Sequence, residues 1–491
     1  MKSLPRILFG VGALAYLTAC PCALAAPAKT AAYAAARHAL AYLEHSPEAS
    51  DLRAEIETGP DDLATEKAAA KEAGLPCDPP QLQAPVPPDD RNAAPLYRQL
   101  GQLLKDHPLD LPDYAAGGMS TRHTYTAEQI AAVQKVRDSR SDVFALIHQA
   151  ADKPQCVFSR DWDKGLAVTF PEYATMREAA RLLETESYLL ARRGLYVEAM
   201  SNQARGFRLA EQAGSDPSVI SYLVGCACDA IAVGGMESIL ATAGPNTVVC
   251  AAVQREVLAN RPKLSLRRSL TGELVMISAN LDTARAMFAS NKDYPGLSKK
   301  LPVVVLSSKD LPAFSPADRK FLRSLWAAQE AEYRHDLRTL IDNADQPIRV
   351  RKSVFSQPQE TLDDAPRDPV KFVSNVLLPL FARTARNGDR VRTQEDVLLS
   401  ASAALIARAR SGDYPSTQPL TMLDSYNLKP LQYRAEGTDG FVVYSLGPDG
   451  TFDGGKPGDR RPAGQAYFRY PSVPDAPSDT SDSPTPKDPL P

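Results

Sequence analysis

The chain has 491 residues, of which 44% are hydrophobic and 7% aromatic, and its formal net charge is −3. This length allows two or three domains with sizeable cores. The near-neutral charge, without a dense run of Lys or Arg, argues against a nucleic-acid-binding surface. Leu and Ala are frequent and aromatic residues are few, which favours helices.

Residues 1–25 have the pattern of an export signal. Lys2 and Arg6 precede an apolar run over 7–19, which is too short to span a bilayer comfortably. Two cleavage sites compete: Leu-Thr-Ala-Cys at 17–20 resembles a bacterial lipobox, in which Cys20 would be acylated, and Ala-Leu-Ala at 23–25 suits an ordinary signal peptidase. We expect a mature protein outside the cytoplasm, either periplasmic or held at the membrane by a lipid anchor alone, with no other membrane-spanning stretch.

Such a compartment permits disulfides. The seven cysteines are Cys20, Cys22, Cys77, Cys156, Cys226, Cys228 and Cys250. Cys77 and Cys156 lie in loop-like, Pro-containing contexts, and we expect them to pair, which the chain-entropy relation values at roughly 4 kcal/mol. Cys226 and Cys228 are two residues apart on a predicted helix, so one of them would reach Cys250. The alternatives are buried free thiols or a thiolate metal site, for which no fourth ligand is evident.

The N-terminal region, 26–91, contains predicted helices over 28–44 and 61–73 and then a Pro-rich strap over 76–88. A mainly helical domain is predicted over 92–412. Within it, Thr126 and Gln129 fit a capping box, because each side chain can bind the other's backbone N–H. The helix that they begin is predicted to continue to about residue 151.

Residues 171–243 predict three helices in quick succession. The segment 194–199, Gly-Leu-Tyr-Val-Glu-Ala, resembles the turn and second helix of a tetratricopeptide-like hairpin over about one repeat of roughly 34 residues. The resemblance implies that Tyr196 packs on the preceding helix and that Ala199 permits close approach; Gly206 departs from the pattern. The predicted fold is mainly α, with antiparallel helical hairpins stacked in a solenoid-like manner and a small C-terminal β-hairpin.

Three acidic residues are candidates for chemistry. Glu273 lies in an apolar helical run, where a buried carboxyl has a raised pKa unless it is paired, and a raised pKa is one mark of a general acid. Pairing with a nearby arginine, Arg267, Arg268 or Arg285, is the alternative. Glu184 and Glu186 on the first central helix are the other candidates for a groove. No P-loop, dinucleotide fingerprint, nucleophile elbow or HExxH motif occurs.

Two further helices are predicted over 370–386 and 393–410, the second of them capped from Thr393. After Gly412 the pattern changes, and two short alternating segments, 431–434 and 441–446, predict a β-hairpin within a region spanning 413–470. Residues 471–491 are rich in Pro, Asp and Ser and are predicted to be disordered.

The segment Tyr433–Gly455 resembles the C-terminal region of type II secretion major pseudopilins, through Tyr-Ser-Leu-Gly followed by Asp-Gly and a Gly pair. The resemblance implies a sheet edge and a calcium-binding loop, with Asp449 and Asp453 as ligands. A Gly/Asp turn without metal is the alternative. The Asn-Ala-Ala opening at Asn92, the helical hairpins and this tail together resemble an uncharacterised class of exported bacterial helical proteins, which implies no activity.

The sequence therefore favours a non-enzymatic scaffold or binding protein of the cell envelope, exported and either lipid-anchored or free. Its partner would be an envelope protein or polymer, and calcium is the one cofactor suggested. The alternative is a hydrolase of envelope polymers that uses groove carboxylates. Clustered, solvent-reachable carboxylates would favour the enzyme, and arginine-paired acids would favour the scaffold.

Overall fold

The computed structural model describes residues 50–289, 316–346, 351, 354–355, 370–447, 450–451 and 466–471. It is mainly helical, as predicted, with one small antiparallel sheet near the C-terminus. The helices are α1 Ser50–Glu72, α2 Ala94–Asp106, α3 Ala127–Ser139, α4 Ser141–Ala151, α5 Glu172–Arg192, α6 Tyr196–Ala213, α7 Val219–Ala243, α8 Thr247–Asn260, α9 Leu266–Ala289, α10 Pro316–Asn343 and α11 Phe372–Ser411. The strands are β1 Gln432–Glu436, β2 Gly440–Tyr444 and β3 Tyr467–Tyr470.

The centre of the fold is the hairpin of α5 and α6 with α7 packed on both. Ala199, the small residue of the predicted hairpin, is fully buried, and its carbonyl accepts a 3.0 Å hydrogen bond from Ser187. On α7, Gly235 lies against the Gln203 side chain, and a Cβ there would stand 2.3 Å from the Gln203 Cδ. These small residues bring the three helices close together, which shields the polar groups between them.

A second helical group consists of α1, α9 and α10. α1 runs along α10, and α10 packs on α9. Their shared core includes the buried residues Ile56, Leu274, Leu322 and Leu337, and it continues to Phe381 on α11. The N-terminal helix that the structure describes is therefore packed into the helical body.

α7 is long and apolar enough to cross a membrane by length and composition alone, with a mean hydropathy of 1.7 over 18 residues. The expectation of no further spanning stretch is not tested by length and composition alone and stays a prediction. In this fold, 61% of that window is buried between helices. Core helices of soluble proteins meet the same criterion, and two buried acids on α7, Asp229 and Glu237, need polar partners that a lipid would not supply.

Several helix boundaries differ from those predicted. α1 passes through Pro60, and the predicted helix over 127–151 is interrupted at Arg140. The capping box of Thr126 and Gln129 is confirmed, with reciprocal hydrogen bonds of 2.9 and 3.2 Å. Thr393 does not begin a helix: its hydroxyl donates to the Asp389 carbonyl inside one 40-residue helix, α11.

Gly388 explains the continuity of α11. The helices predicted over 370–386 and 393–410 leave a break that includes this glycine. In the structure its missing side chain gives room to Tyr222, whose hydroxyl would lie 2.0 Å from a Cβ at that position. The glycine thus serves packing between α11 and α7 and does not end the helix.

The sheet has the order β1-β2-β3, with both pairs antiparallel. The predicted hairpin is confirmed as β1 and β2, and β3 was not predicted. Phe441, Val443 and Phe468 lie in one core with residues of α7, α8 and α11, so the sheet is anchored to the helices. The buried Asp424 fixes the segment after β2, accepting hydrogen bonds from the Ser445 hydroxyl at 2.9 Å and from the Leu446 N–H at 3.0 Å.

Candidate functional site

Glu186 lies in the middle of α5 with its side chain 3% exposed. Its Oε1 accepts hydrogen bonds from Arg137, at 3.0 Å from Nε and 2.5 Å from Nη2. Its Oε2 is 2.7 Å from His148 Nε2 and accepts from Asn202 Nδ2, also at 2.7 Å. Burial acts to raise the pKa of this carboxyl, but the bonds from His148 and Arg137 outweigh burial and lower it. Glu186 is therefore a fully partnered, ionised acid that ties α5 to α3, α4 and α6.

Glu184, two residues earlier, has a different environment. Its carboxyl lies between Gly118 of the loop before α3 and Gly234 of α7: a Cβ at Gly118 would stand 2.3 Å from Oε2, and one at Gly234 3.1 Å from Oε1. The side chain is buried, and with the residues that the structure describes it forms no hydrogen bond. Burial raises its pKa to about 8, opposed by Arg122 and reinforced by Glu237. At neutral pH the group is mostly protonated, which suits a general acid.

Arg122 and Glu237 complete this cluster. Arg122 Nη2 donates to Glu237 Oε2 at 2.6 Å. The carboxyl of Glu237, which lies near Glu184, is thus already held by a cation. Above them the loop is fixed by two backbone donors, Met119 N–H to the Thr185 hydroxyl and Thr121 N–H to the Ser238 hydroxyl, both at 3.1 Å. The arrangement places the buried Glu184 carboxyl beside the Arg122–Glu237 pair, under a loop anchored by these two hydrogen bonds.

Glu273, the third candidate, caps a helix. It is buried, and its Oε1 accepts a 2.9 Å hydrogen bond from the Val219 N–H at the start of α7. Burial raises its pKa to about 7, and the bond from Val219 opposes the rise. None of the predicted partners Arg267, Arg268 or Arg285 forms an ion pair with it in the described part of the chain. Its position at the positive end of the α7 dipole indicates a structural role.

Four parts of these clusters were not predicted from the sequence: Arg122, Arg137, Glu237 and a buried group around Asp229. Burial raises the pKa of Asp229, and so does the nearby Glu395 carboxylate. A signal was available: Asp229 and Glu237 are acids in an otherwise apolar helix, and buried charges require partners. The arginines that meet them come from distant loops and helices, whose approach the sequence pattern does not specify.

Two surface cavities are lined by charged side chains. One, of about 270 Å³, lies between α1 and α10 and is lined by Glu55, Asp62, Thr65, Glu66, Ala328, Ala331, Glu332, His335 and Val370. The other, of about 210 Å³, lies between α2 and the start of α5 and is lined by Arg98, Ser159, Arg160, Asp161, Lys164, Val168, Thr169, Pro171 and Glu172. We call the second the Arg98 cavity.

The predicted disulfides are not formed in this structure. Cys77 is exposed, whereas Cys156, Cys226, Cys228 and Cys250 are buried, and all five are free. The reason for the central three is spatial: Cys226, Cys228 and Cys250 belong to three different core clusters. Cys77 donates weakly to the Leu75 carbonyl, and Cys156 lies in the core with Tyr97.

We expect N-ethylmaleimide to modify Cys77 in the folded protein and to leave Cys156, Cys226, Cys228 and Cys250 untouched until urea is added. The thiolate is the reactive form, and burial raises the pKa of Cys226 and Cys228 to about 12 and that of Cys250 to about 11. Peptide mapping by mass spectrometry reads each cysteine separately. A disulfide-linked peptide joining Cys77 to Cys156 in protein purified from an oxidising compartment would contradict the free-thiol arrangement.

Several predicted residues lie outside the described ranges: Cys20 with the export signal, and Asp449 and Asp453 of the calcium loop. Acylation and calcium binding there stay predictions. Among the residues that the structure describes, no group of three or more His, Cys, Asp or Glu side chains is placed to hold a metal ion.

Two features are therefore candidates for catalysis or binding: the cluster of Glu184, Arg122 and Glu237, and the Arg98 cavity. Comparison with known proteins adds no precedent for either: the chain matches no protein-family model, no curated protein and no solved structure.

Proposed function

We propose that the chain is an exported, non-enzymatic binding or scaffold protein of the bacterial cell envelope, either free in the periplasm or anchored through an acylated Cys20. The observation that supports a non-enzymatic role is the pairing of the buried acids. Glu186 is held by Arg137, Glu330 by Arg285 and Arg334, and Asp396 by Arg261. Acids in such pairs hold helices in register and are not free to exchange protons with a substrate.

Fractionation of cells that express the full chain, with mass analysis of the mature N-terminus, tests the location. Acylated Cys20 in the membrane fraction, or an unmodified Ala26 in the soluble periplasmic fraction, is the expected result. Recovery in the cytoplasm with residues 1–25 still attached would overturn the proposal. The two expected results also separate the anchored form from the free form, because only the first carries lipid mass.

A hydrolase of envelope polymers is the second candidate, and one observation favours it. Glu184 is a buried acid with a pKa of about 8, and a second carboxyl, that of Glu237, lies near it; glycoside hydrolysis uses two such carboxyl groups. Incubation of the purified protein with peptidoglycan, followed by analysis of released fragments, distinguishes the two roles. Our proposal predicts no release; release by the wild type that Glu184→Gln abolishes would establish the hydrolase.

A further inference from the structure

The Arg98 cavity is built on a rigid cation. Arg160 has a side chain only 4% exposed, and its guanidinium lies 4.7 Å from the ring centre of Phe158 and 4.6 Å from that of Phe170. Its Nε donates to Asp216 at 2.6 Å, and its Nη1 donates to Glu172 at 3.2 Å. Ring contacts and ion pairs together hold this wall of the cavity in one geometry.

The groups at the mouth of the cavity have unused hydrogen-bonding capacity. Arg98 donates from Nε to Glu172 at 3.1 Å, and its two terminal nitrogens bond no other residue within the described ranges. Lys164 is 62% exposed, and among the residues that the structure describes its ion pair is with Asp161, at 3.5 Å. An exposed pair of this kind is weak, so both partners can turn to a ligand. The Thr169 carbonyl, on the same wall, accepts a 3.1 Å hydrogen bond from Arg160 Nη1.

The charges of the cavity select the ligand. Arg98, Arg160 and Lys164 are balanced by Asp161, Glu172 and the buried Asp216, so the group is neutral as a whole. A phosphate dianion would leave two negative charges uncompensated, and a simple cation would meet the positive charge of Arg98, whose terminal nitrogens face no carboxylate within the described ranges. A zwitterion adds no net charge: its carboxylate matches the unused donors, and its ammonium matches the exposed carboxylate of Asp161.

We propose that the Arg98 cavity binds the zwitterionic backbone of a free amino acid, with the carboxylate held by Arg98 and Lys164 and the ammonium by Asp161. The volume of about 210 Å³ is below the roughly 300–1,000 Å³ of sites for drug-sized ligands, and it suits a molecule of amino-acid size. This inference gives a ligand class to the binding role proposed above and rests on that role.

Saturation-transfer difference NMR on the full mature chain tests the site, with alanine, alaninamide and N-acetylalanine as probes. Alanine is expected to bind at millimolar concentration or better. Alaninamide lacks the carboxylate charge and N-acetylalanine lacks the ammonium, so each should bind at least about tenfold more weakly. No signal from alanine, or equal signals from all three probes, would overturn the proposal.

Matched variants locate the binding. Lys164→Ala and Asp161→Asn are each expected to weaken alanine binding by about fivefold, since each removes one charge contact. Lys105→Ala and Asp163→Asn change exposed residues outside the cavity and should leave binding unchanged. Equal weakening in the controls would place the ligand elsewhere. A chain that reaches the envelope but binds none of the probes would overturn the cavity assignment and leave the envelope role standing.

Discussion

Replacing Glu186 by Gln is expected to lower the free energy of unfolding by about 3 kcal/mol at pH 7, because a buried ion pair loses one partner. The variant leaves Arg137 without its counter-charge and turns an amide NH₂ toward groups that themselves donate. Both carboxylate oxygens are in use in the wild type, with bonds of 2.5–3.0 Å. Urea denaturation followed by circular dichroism measures the loss.

The pH dependence gives this prediction a sign. The pKa of Glu186 is lowered in the folded protein, so the unfolded chain binds its proton first and stability falls as the pH drops through the folded pKa. The difference in unfolding free energy between wild type and Glu186→Gln should therefore become smaller below about pH 4. Glu178→Gln, on the same helix but paired with Arg181 at a partly exposed site, should change stability by less than about 0.5 kcal/mol. A loss of unfolding free energy in Glu186→Gln no larger than that in Glu178→Gln would contradict the stabilising role of the contacts that Glu186 forms with Arg137, His148 and Asn202.

A similar arrangement occurs at two other contacts between long helices. Glu330 on α10 accepts from Arg285 on α9 at 2.8 Å and from Arg334 on its own helix at 2.9 Å. Asp396 on α11 accepts from Arg261, which follows α8, at 2.6 Å. A buried pair of this kind adds little net stability over an apolar contact, but it penalises any register that separates its members. We infer that these pairs specify how the helices align.

The sequence predicted what depends on local pattern. Apolar periodicity found most helices, and Thr126 with Gln129 identified the start of α3. The errors came where a local signal had a tertiary use. The helix predicted over 61–73 extends back through Pro60 as α1. The helices predicted over 370–386 and 393–410 are one helix, and Gly388 between them packs against Tyr222. β3 follows a segment without strand signals, and its pairing partner β2 is more than twenty residues away.

The candidate site was predicted only in part. Glu184, Glu186 and Glu273 were all recognised as acids on helices with apolar faces, and all three are buried. The surroundings of these acids were not predictable, because they come from other elements. Glu186 meets side chains of α3 and α4, Glu273 meets the start of α7, and Glu184 lies under the loop before α3. Glu184 and Glu186 are two residues apart on one helix, and only the packing around them decides which one is paired.

Glu184→Gln is expected to stabilise the protein above about pH 5, the opposite of the result at Glu186. The pKa of Glu184 rises from an ordinary value of 4.5 to about 8 on folding. Between these values the folded state keeps a proton that the unfolded chain has released, so wild-type stability falls as the pH rises from 4.5 to 8. Gln removes this term, and its advantage should grow from near zero at pH 4 to about 5 kcal/mol at pH 9.

Urea denaturation of both proteins from pH 4 to pH 9 measures the gap, with Glu178→Gln again as the control on the same helix. A gap that stays constant over this range would mean that Glu184 finds a partner when ionised. Peptidoglycan assays on the same samples show whether the stability that the buried Glu184 removes is connected with an activity. A variant that is more stable but no longer releases fragments would identify Glu184 as a general acid, since active sites commonly retain destabilising groups. If the variant is more stable and the wild type releases no fragments, Glu184 is a destabilising buried acid in a binding protein without a catalytic role.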